Sequence, residues 1–115
     1  MTFPVDLRRL AERESEQVEW KATVADVNDV VRALSAFAND LANLGGGYVV
    51  CGASEEKDEH GFQRLVLSGL TSSRLKEVEG EVMTRCRTLV SPAITPIVSE
   101  LPSPTPDRRL LVFTQ

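Results

Sequence analysis

The chain reads as a single α/β (α+β) domain, and three observations predict it. Val18 and Trp20 alternate with Gln17, Glu19 and Lys21, the period of a half-buried strand. Val27, Val30, Val31, Leu34, Ala38 and Leu41 then recur at helical spacing. Tyr48 to Ala53 is a continuous apolar run too short for a helix, which predicts a strand buried on both faces.

Taken in order, residues 4–13 predict a short helix, with Thr2 placed to cap it, Pro4 in its first turn and Val5, Leu7 and Leu10 as apolar contacts. The strand over 17–21 follows. The next helix spans 26–43, with Asp26 or Asn28 placed to cap its free N–H groups and Gly45 placed to leave it. Its polar face carries Asn28, Arg32, Asn39 and Asn43 on an arc of roughly 60°. The strand over 48–53 is expected to pair with 62–67 as a hairpin across the acidic loop Glu55 to Gly61.

A second main helix fits 73–90, with Leu75, Val78, Val82, Cys86 and Leu89 on one stripe and Ser91-Pro92 as its stop. Gly80 inside it costs about 1 kcal/mol relative to alanine. Strands over 94–101 and 110–114 flank the turn-rich Pro102 to Asp107, and Pro96 places the first of them at a sheet edge. The order is helix then βαββαββ, a mixed sheet covered by two main helices. The apolar pattern of Leu110 to Gln115 is still running where the sequence stops, so residues 1–115 are expected to be the N-terminal fragment of a longer protein.

Composition narrows the function. The 115 residues are 42% hydrophobic and 26% charged, ordinary values for one globular domain. No apolar run approaches the roughly 20 residues needed to span a bilayer, and the first residues lack a basic start and an apolar signal core, so no membrane association and a cytoplasmic location are expected. Lys and Arg number 13 against 17 Asp and Glu, a net charge of −4. That sign disfavours bulk electrostatic capture of a phosphate backbone, and any nucleic-acid contact must be local.

The two cysteines, Cys51 and Cys86, have no metal or redox spacing and read as structural thiols. His60, alone in a charged loop, reads as a surface histidine. The triple glycine Gly45 to Gly47 follows a helix instead of opening one, and no glycine-lysine-serine/threonine signature occurs, so the phosphate-loop geometry is absent. The glycines then serve as a C-cap with close helix-to-sheet packing, or as a backbone nest for another anion. A right-handed crossover from 17–21 through the helix to 48–53 makes those strands parallel. It gathers Glu14, Asn39, Asn43 and the glycine turn on one rim, and leaves the Glu55 loop at the opposite end of the strand.

The segment Glu14-Ser15-Glu16-Gln17-Val18-Glu19-Trp20-Lys21, the run Ala36-Phe37-Ala38-Asn39 and the run Gly45-Gly46-Gly47-Tyr48-Val49-Val50-Cys51-Gly52 resemble the Schlafen AlbA-like domain in order, spacing and residue type. Trp20 stands where the family pattern has Phe, and Cys51 where it has Ile. The resemblance implies an Alba-like fold and a module at the N-terminus of bacterial transcriptional regulators, ahead of helical or winged-helix regions. It implies DNA or RNA as partner, for which Lys21, Arg32, Asn39, Asn43, Gly45, Gly46 and Gly47 are the candidate contacts.

The alternative that the resemblance carries is a metal-dependent RNA endonuclease. In eukaryotic relatives two glutamates at this spacing and a later acidic residue hold a divalent ion; Glu14 and Glu19 match the pair, and the third falls on Glu55 or Glu56. Mg²⁺ or Mn²⁺ held by Glu14, Glu19 and Glu55 would activate water and offset charge on the leaving oxygen. Lesser alternatives are ATP binding and a homodimer formed through an edge strand carrying residues 110–114.

Overall fold

The structure is a computed structural model that describes residues 18–39 and 46–115. The expected helix over 4–13 lies outside the described residues, as do Glu14, Asn43 and Gly45. The fold is α+β: β1 (Val18–Lys21), α1 (Val27–Asn39), β2 (Tyr48–Cys51), β3 (Ser54–Lys57), β4 (Gln63–Val66), β5 (Leu70–Thr71), α2 (Ser72–Thr88), β6 (Ile97–Pro102) and β7 (Arg108–Thr114).

β1 and β2 run parallel, with Val18 beside Tyr48 and Lys21 beside Cys51, as a crossover through α1 requires. β7 is antiparallel to β2 on one side and to β6 on the other, so that Val112 has Val50 and Ser99 as its two neighbours. The outer position of β6 agrees with what Pro96 predicts. The short β5 takes up the line of β2 beside β7, pairing Leu70 with Arg109.

Two expectations are corrected. The 48–53 strand does not form a hairpin with 62–67: β2 ends at Cys51, and the chain leaves the sheet at Gly52, whose φ is +94°. The acidic stretch is not all loop either, because Ser54–Lys57 pairs antiparallel with Gln63–Val66 as a separate two-stranded sheet. Asp58 locks its turn, accepting from the backbone N–H groups of His60 and Phe62 at 2.9 and 3.0 Å. The strand run is therefore βαβββ, then β5, α2, β6 and β7. β7, with strands on both sides, is interior, so residues 110–114 offer no free edge to a second copy.

The hairpin returns at Gly69, whose N–H donates to the Gly52 carbonyl at 2.8 Å. Gly52 in turn donates to Lys21 at 2.7 Å, and Ser103 Oγ donates to the Leu67 carbonyl at 3.1 Å. The two-stranded sheet is thus pinned where it leaves and rejoins the main one.

Alternation along the strands sorts the sheet into two faces. Val49, Cys51, Leu111 and Phe113 point to the helices, where Val27, Val30, Val31 and Leu34 of α1 meet Leu75, Val78, Val82 and Cys86 of α2. Val18, Val50, Leu110 and Val112 point the other way, with Leu65 and Leu67 from the hairpin side packed against them. α2 ends at Thr88 with Leu89 as its cap residue, so Leu89 stands exposed instead of continuing the stripe.

Both cysteines are free and buried. Burial pushes the Cys51 thiol up from the ordinary 9.0 to about 12, against the opposing pull of the Lys21 charge, and burial raises Cys86 as well. The folded state therefore holds the Cys51 proton where the unfolded chain releases it. Stability should fall as pH rises through the window from 9.0 to about 12, by at most about 1.4 kcal/mol per pH unit for this one proton. Urea midpoints across that window should slope less steeply in Cys51→Ala; equal slopes would remove the thiol as a cause.

Candidate nucleic-acid interface

The rim expected at the start of β2 is built by α1 descending onto the glycine turn. Gly47 sits under the last turns of α1: a Cβ there would lie 2.5 Å from the Phe37 ring. Gly46 has φ +89°, and a Cβ would collide with the backbone oxygen of Gln115. Gly47 and Gln115 exchange hydrogen bonds, the Gly47 N–H donating at 3.1 Å and the Gln115 N–H at 3.0 Å. Close packing against helix and strand accounts for both described glycines, and the Gly47 N–H already has an acceptor inside the fold. Nothing in the sequence signals this clamp, which joins residues far apart along the chain.

The candidate contacts do not converge on that rim as a set. Asn39 is exposed at the end of α1, on the Gly47 side. Lys21 ends β1 beside Cys51, at the other end of the strand pair, and its ammonium lies 3.4 Å from Glu19. Arg32 is bound to Asp29 one turn back on α1, with Asp26 at 4.0 Å. Asn28, on the same helix, turns toward α2 and accepts from Arg85 at 2.7 Å. Both expected cations are therefore already ion-paired, Arg32 at an exposed site and Lys21 at a half-buried one, in solvent-accessible pairs that contribute under about 1 kcal/mol each and can be exchanged for a phosphate.

Of the candidate metal ligands, Glu19 lies on β1 facing the helices, and Glu55 lies exposed on β3 opposite Leu65. The two strands are neighbours, but they belong to different sheets. Among the described residues no three His, Cys, Asp or Glu side chains come together as a metal-holding group. The three-carboxylate arrangement depends on Glu14, outside the described residues. His60 is exposed on the hairpin turn, as expected of a surface histidine.

Some of the cations lack carboxylate partners. Among the described residues these are Lys57 and Arg64 on the hairpin, Lys76 and Arg87 on α2, and Arg108 on β7, which donates to the Gly69 carbonyl at 3.3 Å. Helical spacing gave access to the α2 pair, since both fall opposite the apolar stripe. No helix among the described residues is long and apolar enough to cross a membrane.

The family model described as Schlafen, AlbA_2 matches residues 14–114. The N-terminal domain of a RecG-related protein from Nitrosomonas europaea, solved in solution by NMR, has a similar fold, with a TM-score of 0.70 and 21% sequence identity over 94% of this chain and 68% of that one. No curated protein is significantly similar in sequence.

Proposed function

This chain belongs to the Schlafen, AlbA_2 family, and from that membership we propose that it is a nucleic-acid-binding module, for DNA or RNA, of a Schlafen-like bacterial transcriptional regulator. The match over residues 14–114 carries the reading. It is supported by a fold shared with the N-terminal domain of a protein named for its relation to the ATP-dependent DNA helicase RecG. Exposed Asn39 at the glycine rim, with Asn43 and Gly45 beyond it in sequence, supplies hydrogen-bonding groups. Lys21 and Arg32 join by exchanging their weak carboxylate partners for phosphate. Binding is local and modest, because a chain of net charge −4 repels a polyanion at long range.

A fluorescence-anisotropy titration with short single- and double-stranded oligonucleotides tests this. The expected result is saturable binding at low salt, with log affinity falling against log salt at a slope of about −1 to −3, since few phosphates are engaged. Absence of binding at the lowest salt sinks the reading. The same mixtures with Mn²⁺ separate the enzymatic alternative: intact RNA supports a binding module, and chelator-sensitive cleavage lost in Glu19→Gln replaces it with an endonuclease.

A further inference from the structure

We infer that the outer stripe of α2 is the face on which this module holds a nucleic-acid backbone, an assignment that rests on the nucleic-acid reading above. Ser73, Lys76, Gly80, Thr84 and Arg87 are all exposed and follow one another at intervals of three and four residues, on the side of the helix opposite buried Leu75, Val78, Val82 and Cys86. Lys76 and Arg87 stand eleven residues apart, about 16 Å along the axis, and neither has a carboxylate partner among the described residues. Beside the stripe, Glu77 is held by Arg74, and Glu81 lies 3.7 Å from Arg85. Those two acids are therefore already neutralised, and half-buried Glu79, three residues after Lys76, lies on the other flank. α2 carries four cations and three acids, a positive element in an acidic chain.

The second observation is Gly80. Glycine in mid-helix is unfavourable, and the ordinary reasons for keeping one are a tight turn, a positive φ or close packing. None applies here: Gly80 lies inside a continuous helix, its φ is not positive, and a Cβ built on it would meet nothing within 4 Å. Its neighbours on the stripe, one turn either way, are Lys76 and Thr84. A missing side chain between two unpaired cations leaves a shallow place where a polyanion can come close to the helix backbone. Charge complementarity selects phosphate over an acidic or apolar protein surface.

The experiment uses the same oligonucleotide titrations on three variants. Gly80→Gln, which adds a good helix former, should keep or raise the thermal midpoint while weakening binding at least tenfold. Lys76→Ala with Arg87→Ala should weaken binding uniformly across sequences and flatten the salt slope by about 1.4 to 1.8, two phosphates at 0.7 to 0.9 each. Lys57→Ala with Arg64→Ala, on the acidic hairpin, should bind like the parent. Unchanged affinity in Gly80→Gln, or an unchanged slope in the α2 double variant, overturns the assignment. Failure of the unmodified chain to bind at all falls instead on the functional reading.

Discussion

Replacing Phe113 with alanine should destabilise the domain by about 3–5 kcal/mol, the range for emptying a large aromatic from a packed core. Phe113 is completely buried near the end of β7, beside Val49 of β2 and Val98 of β6, with its side chain in the cluster shared with both helices. Neighbours held on both sides by strand pairing cannot close over the void, so the upper part of the range applies. Domains of this size have stabilities of only about 5–15 kcal/mol. Urea unfolding followed by circular dichroism should show a large drop in midpoint at similar m-value. Phe62→Ala, at a side chain 68% exposed, serves as the contrast and should move stability by no more than about 0.5 kcal/mol. A loss below about 1.5 kcal/mol at Phe113 would contradict its place at the centre of the sheet.

That centre was half legible in the residues. The runs Tyr48–Cys51 and Leu110–Phe113 are apolar without alternation, which marks strands covered on both faces, and two such strands belong side by side inside a sheet. Pairing 48–53 with its sequence neighbour instead of with 110–114 followed the shorter connection, and the long-range partner won because it completes burial on both faces. Ser54-Glu55-Glu56-Lys57 was illegible for the opposite reason. It forms a strand with scarcely any buried side, so no apolar period announces it, and its one local signal is the turn chemistry of Asp58 and Gly61. α1 was legible because Val27, Val30, Val31 and Leu34 all reach the core on a single stripe.

For the site, sequence separated the groups by type but not by partner. Arg32 three residues after Asp29 is an ion pair that helical spacing alone could have disclosed. The Gly47–Gln115 clamp could not be disclosed, since it joins residues far apart in sequence with no local signal at either. The consequence for function is a shift of emphasis. The glycine turn is largely used in holding the fold together, and cations without carboxylate partners lie on the outer stripe of α2 as well as on the hairpin.

The junction at Gly52 carries the second large expectation: Gly52→Ala should lose about 3 kcal/mol or more. Two causes act together. At φ +94° an L side chain is strained whatever the space around it, by about 1–3 kcal/mol. The new Cβ would also stand 2.9 Å from the Gly69 Cα, 3.1 Å from the Gly69 carbonyl carbon and 3.2 Å from a Leu110 methyl. Backbone on the far side cannot rotate away as a flexible side chain would, and moving it breaks the 2.8 Å hydrogen bond that closes the base of the hairpin. Gly61→Ala separates the two causes, because its φ is +81° but nothing lies within 4 Å of its Cβ. It should show the strain alone, about 1 kcal/mol. If the two variants unfold at the same urea concentration, the close approach of Gly52 to Gly69 contributes nothing, and the pinned junction that fixes the hairpin against the sheet is wrong.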